Sequence, residues 1–195
     1  MSLYVDPPFA LGQTLGVSSA SDGVSWVGVV KLFPDVNPIT GRVRSNRLKK
    51  CIAVRNASGA TLFAKRGVSF AAGSYTDVVG YVYENGLANK QLAGVIDEHL
   101  PAAGVAPNDV FWVTVEGPTE IINNVATQPG QHLIGATINS VTAATSSGNT
   151  GGYAITADVT AALAAPTGRV VYYGRAASTA SATAGCLVIM PGEAP

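Results

Sequence analysis

The residues in this chain with the widest chemical reach are few. Asp97-Glu98-His99 sets two carboxylates beside an imidazole, the residue types that acid–base or metal chemistry uses, and the chain holds only one other histidine, His132. Consecutive residues of a strand point to opposite faces, however, so a run of three neighbours is poorly placed to build one shared site. No Ser, Cys or Lys sits in a recognisable activating frame, and GxSxG, P-loop, HExxH and GxGxxG patterns are absent. Cys51 and Cys186 lie far apart without CxxC or Cys/His spacing, which suggests neither zinc nor redox chemistry. They are expected to be buried small apolar residues, bridged only if their strands meet. No catalytic residue, metal ligand or cofactor site is expected, and an enzyme built on Asp97, Glu98 or His99 ranks last among the readings. Asn56-Ala57-Ser58 matches a glycosylation sequon but is better explained as a turn.

Charge offers a different chemistry. Between Lys31 and Arg66 lie nine of the twelve basic residues against the single acid Asp35, whereas residues 67–195 carry three basic and nine acidic residues. Arg42, Arg44, Arg47, Lys49 and Lys50 form the densest part. Such a run reads either as a solvated loop or as a patch that docks on an acidic protein surface, including the acidic half of a neighbouring copy. In both readings the heads are expected to be accessible. Nucleic acid is not an expected partner, because no aromatics interleave the run for base stacking.

The elements that would carry these residues are short. At 195 residues, 47% hydrophobic and only 12% charged, the chain can bury a full core without a staple, and charge-driven disorder is excluded. A formal net charge of zero leaves little electrostatic protection against self-association. No basic residue precedes Lys31 and no apolar h-region opens the chain, so no secretory signal is expected. No apolar run approaches the ~20 residues of a membrane span, and the expectation is a soluble product with no membrane partner.

Residues 1–25, with Pro7-Pro8 and a Ser-rich stretch, predict an extended arm that becomes ordered only on assembly. Residues 26–195 predict a single domain. The run from Trp26 to Phe33 predicts a strand closed by Pro34, followed by turn chemistry to Gly41. Lys50–Arg55, a tight turn at 56–59 and Ala60–Phe63 read as strand, turn, strand. Strands are also predicted at Tyr75–Tyr83, Leu92–Ile96 and Val110–Glu116, the last closed by Gly117-Pro118. In that last strand Val110, Trp112 and Thr114 alternate cleanly with Phe111, Val113 and Val115. Residues 126–195 are rich in Ala, Thr, Ser and Gly, with strand islands at 133–138, 153–159, 170–173 and 187–190 and one helical turn at Asp158–Ala165. The fold class is all-β: a small barrel (β-tulip-like) or a sandwich of short strands with an extended N-terminal arm.

Two segments resemble a known family. Residues 51–70, CIAVRNASGATLFAKRGVSF, resemble the apolar strand, Arg-Asn-x-Ser-Gly-x-x-Leu and Lys-x-Gly-Val pattern of tailed-bacteriophage head decoration (capsid cement) proteins, with Arg66 intruding before Gly67. The segment QLAGVIDEHLPAAGVAPNDVFWVTVEGP, ending at Pro118, resembles their later segment: an AGV strand, a loop, an Asn-Asp turn and an aromatic-rich strand ending in Gly-Pro. The resemblance implies a small β-barrel, made in the host cytoplasm, that binds the major capsid protein on the head surface of a virion and reinforces subunit contacts. It also implies a homo-oligomer, a trimer being favoured, and it carries over no catalytic residue. The alternative from another class is a host-facing or glycan-binding virion module using Tyr153, Tyr172 and Tyr173 on exposed loops.

Overall fold

The computed structural model describes residues 7, 9–16, 26–80, 92–122, 126, 128–130, 132–135, 154–156, 172–178, 180 and 185–191. Its strands are β1 (Thr14–Leu15), β2 (Val30–Val36), β3 (Val43–Asn56), β4 (Gly67–Phe70), β5 (Asp77–Val79) and β6 (Leu92–Ile96). After these come β7 (Val110–Ile122), β8 (His132–Gly135), β9 (Ala154–Thr156), β10 (Tyr172–Ala176) and β11 (Gly185–Pro191). All eleven join one mixed sheet, so the all-β expectation holds.

Its centre is a closed ring of five strands, β3-β5-β4-β6-β7, sealed by the β3–β7 ladder and irregular rather than a uniform barrel. Each ring strand sends apolar residues inward: Val54 from β3, Val78 from β5, Val68 from β4, Ile96 from β6, and Phe111 with Val113 from β7. β-branched side chains suit this pleated, enclosed surface, and burying each contributes roughly 1.5–3 kcal/mol. The two segments that resemble head decoration proteins supply β4, β6 and much of β3 and β7.

β7 is buried on both faces. Phe111 and Val113 fill the ring, whereas Trp112 points outward into a second apolar layer with Phe9, Leu11, Phe33, Cys51 and Ala53. Cys51 is a free buried thiol, as its apolar neighbours favour.

Several elements differ from the sequence reading for identifiable reasons. β2 runs through Pro34, which is tolerated because β2 is the edge strand among the described residues. β7 runs through Gly117-Pro118: Gly117 has φ 94°, and a Cβ there would collide with the Leu48 carbonyl oxygen, so glycine is what lets β7 cross β3 this closely. Beyond that crossing β7 pairs with β11, and β10, β8 and β9 follow as a wing. Ala60–Phe63 forms a single bridge, Leu62 to Val105, rather than a strand.

Within the arm, residues 9–16 are not waiting for a partner. Phe9 stacks on Trp112 with ring centroids 4.7 Å apart, Trp112 Nε1 donates to the Phe9 carbonyl at 3.2 Å, and β1 pairs with β7. The expectation that the arm orders only on assembly is therefore corrected for this stretch. Its apolar residues Phe9, Leu11 and Leu15 recur at even spacing and gain a prepared apolar layer. The predicted helical turn at Asp158–Ala165 lies outside the described residues.

Candidate functional site

The basic run is a strand rather than a loop, since β3 begins at Val43 and pairs with β2 as a long hairpin. Asn37 organises the turn: its Oδ1 accepts from Ile39 N at 2.9 Å and Thr40 N at 3.0 Å, and its own N donates to the Arg42 carbonyl at 2.9 Å.

Register assigns the faces. Val30 lies opposite Ile52, Leu32 opposite Lys50 and Pro34 opposite Leu48, so these share one face, while Lys31 with Cys51 and Phe33 with Lys49 share the other. On the second face, toward the Trp112 layer, charges are drawn inside. Lys49 is 1% exposed, and its Nζ donates to Glu98 Oε1 and lies 3.5 Å from Asp35 Oδ1. Arg44 spans both acids, with Nη1 2.7 Å from Glu98 Oε2 and Nη2 2.7 Å from Asp35 Oδ1. Ser45 Oγ donates to Asp35 Oδ2 at 2.7 Å. At the rim Arg44 Nη1 is 3.7 Å from Glu120 Oε1, whose partner oxygen takes Lys65 Nζ at 2.6 Å.

One buried and one half-buried cation thus meet two buried carboxylates. Burial alone would raise the pKa of Asp35 and Glu98, but the Arg44 hydrogen bonds and the charges of Arg44 and Lys49 outweigh it and hold both below their ordinary values. Burial likewise opposes the charge on Arg44, yet the hydrogen bonds it donates to Glu98 and Asp35 raise its pKa.

The exposure expected of the basic patch is therefore corrected at two positions. Lys49 is buried and Arg44 is half-buried and fully engaged, because the hairpin turns their face toward Glu98 and Asp35. Arg42 and Arg47 are exposed, Lys50 is half-buried, and these three make no ion pair among the described residues.

The Asp97-Glu98-His99 triplet follows β6, and its two carboxylates are engaged within the fold. Glu98 is the counter-ion just described. Asp97 accepts from Gly12 N with Oδ2 and from His99 N with Oδ1 at 3.0 Å, which fastens the arm to the barrel. Burial raises the Asp97 pKa against those two hydrogen bonds, and burial lowers that of His99 despite the nearby Glu98 and Asp97 charges. Beside the cluster a cleft of about 510 Å³ opens between the hairpin turn (Asn37, Thr40, Arg42) and His99, Leu100 and Lys65. Cys51, its pKa pushed up to about 12 by burial, has its sulfur 3.7 Å from Thr114 Oγ1.

The opposite face of the hairpin is apolar and open. Leu32 is 59% exposed and Leu48 57%, with Val30, Val43 and, at the turn, Ile39 at 80%. Among the described residues, Tyr75 alone of the exposed large hydrophobics lies elsewhere. Soluble surfaces rarely group such residues without use. Sequence reasoning passed over this stripe and over Asp35, Glu98 and Glu120 as counter-ions. Asp35, the one acid inside a run of nine bases, was the available signal.

Other residues singled out by sequence fall elsewhere. Asn56 is fully buried and builds its own turn: Nδ2 donates to the carbonyls of Ala60 at 2.8 Å and Val105 at 3.0 Å, and Oδ1 accepts from Ser58 N at 3.0 Å. Tyr172 and Tyr173 are in strand β10 rather than on a loop, His132 begins β8, and Tyr153 lies outside the described residues.

No protein-family model matches the chain, and no curated protein matches it. Among solved structures, the N base of head fiber gp8.5 of bacteriophage phi29 is similar at a TM-score of 0.41 and 11% identity, over 72% of this chain and 93% of that one. A similarity of that size carries no argument about role.

Proposed function

We propose that the chain is a non-enzymatic structural virion protein that attaches to the outer surface of a phage head through the β2–β3 hairpin and stabilises contacts between capsid subunits. The observation that carries this reading is the inverted hairpin, with ions buried on one face and leucine and valine exposed on the other. A stripe of this kind is a ready protein-docking surface, and Arg42, Arg47 and Lys50 beside it suit an acidic partner such as a major capsid protein. The resemblance of residues 51–70 and 91–118 to head decoration proteins supports the same reading. So does the neutral composition, which favours assembly into homo-oligomers, a trimer being our preferred state. Repetition of a modest contact over many copies supplies avidity.

Electron microscopy of particles assembled with and without the chain tests this directly. Added density repeated over the head surface is the expected result. Density confined to the tail tip would favour the host-facing module instead, and unchanged heads would overturn the proposal.

A further inference from the structure

We infer that the edge of β2 away from β3 receives an extended, acidic segment of the partner as an added strand, so that docking is by backbone ladder as well as by the apolar stripe. This inference rests on the head-attachment reading and specifies its mode.

Three observations carry it. First, among the described residues β2 pairs with β3 alone, and no described strand lies along its other edge, where the Val30 and Leu32 side chains are exposed. Second, Ala53 N donates to the Val29 carbonyl at 2.8 Å. The alternation of an antiparallel ladder then turns the backbone groups of Lys31 and Phe33 toward β3 and those of Val30, Leu32 and Pro34 outward. Pro34 therefore lacks its N–H on the side where no internal bond is lost, and it blunts one end of an edge that Val30 and Leu32 leave usable. The same residues hold their side chains exposed, so strand addition would satisfy their amides and cover the stripe together.

Third, charge selects the occupant. Asp35 is the sole acid between Val30 and Asn56, and it is buried against Arg44. Among the described residues Arg42 and Arg47 make no ion pair, and Lys50 has only Glu116 opposite it across the β3–β7 ladder. A second copy aligned along this edge would set like charges against each other, whereas an acidic strand would neutralise them. An anionic membrane offers charge but no strand donor, and is the competing outcome.

The test uses the full chain and purified heads of the encoding virus assembled without it, read by co-sedimentation. Leu32→Ala removes the side chain and keeps the amide; Leu32→Pro removes both. We expect Leu32→Pro to bind about tenfold more weakly than Leu32→Ala at matched folded fraction, since losing edge hydrogen bonds adds to losing apolar contact. Hydrogen exchange on the wild-type chain gives a second readout that needs no variant: the Val30 and Leu32 amides should exchange quickly when free and slowly on heads. Replacing Arg42, Arg47 and Lys50 together by Ser should weaken binding at low salt and matter less as salt rises.

Equal binding of the two Leu32 variants, with no new protection at Val30 and Leu32, would overturn strand addition while leaving head attachment standing. Wild-type chain that fails to sediment with heads overturns the attachment reading itself. Binding to phosphatidylserine vesicles in place of heads would overturn both.

Discussion

The ring interior and the layer outside it use opposite chemistries on the same two strands. Inside, Val54, Phe111 and Val113 pack with aliphatic neighbours, and the buried charged residues among those described, Asp35, Lys49, Asp97 and Glu98, all belong to the other layer. Outside, the layer starts apolar at Phe9, Phe33 and Trp112, passes through Cys51 and Thr114, and ends in Asp35, Lys49, Glu98 and Arg44. An apolar interior tolerates repacking as long as volume is kept, whereas an ionic cluster is satisfied in one geometry. The ring thus supplies stability, and the outer layer fixes where the arm and the hairpin sit.

Breaking the ring should cost most. Phe111→Ala is expected to lose about 3–5 kcal/mol of a total that rarely exceeds ~15, with global melting as the readout. Trp112→Ala should lose a similar amount and also release the arm, seen as faster exchange at Thr14 and Leu15.

Breaking the cluster should cost somewhat less and act locally. Glu98→Gln leaves Lys49 with Asp35 as its one carboxylate and Arg44 with Asp35 and the rim Glu120, an expected loss of about 3 kcal/mol, with exchange rising over Val30–Val36 before the ring opens. Adding Lys49→Met restores a balanced Arg44–Asp35 pair and should recover much of that loss, a coupling that a double-mutant cycle reads.

Acid should sharpen the contrast. Glu98 and Asp35 are held below ordinary values of 4.5 and 3.8, so their contribution is complete above about pH 4.5 and is lost as pH falls through the depressed folded-state values. Asp97 acts in the opposite sense. Its pKa is raised, so its ionisation opposes folding as pH climbs from 3.8 toward the folded-state value. Acid melting of the wild type should therefore be steeper below pH 4.5 than that of the double variant Lys49→Met, Glu98→Gln.

Much of the ring was legible, because β6 is a short apolar run, the start of β7 is β-branched and aromatic, both are bounded by turn residues, and the alternation through Trp112 is clean. The site was not. Arg42–Lys50 looks like a solvated loop because its apolar residues, Val43 and Leu48, are few and exposed, and pairing with β2 rather than local pattern makes it a strand. Glu98 lies 54 residues from Arg44, and no local signal joins them. The arm's Phe9 and Leu11 were readable as apolar residues, but only the Trp112 layer shows what they cover.

The smallest expected effect on stability accompanies the largest on function. Leu32→Ser with Leu48→Ser changes two exposed side chains, and melting should shift within about 0.5 kcal/mol per site. Co-sedimentation of this double variant with heads is the most direct test of a hairpin held rigid by buried ions to present an apolar face. Melting within that small shift and binding weakened by about a hundredfold are expected, since two desolvated leucines at the centre of a contact are together worth roughly 3 kcal/mol. Wild-type affinity in the double variant would contradict that role for the hairpin.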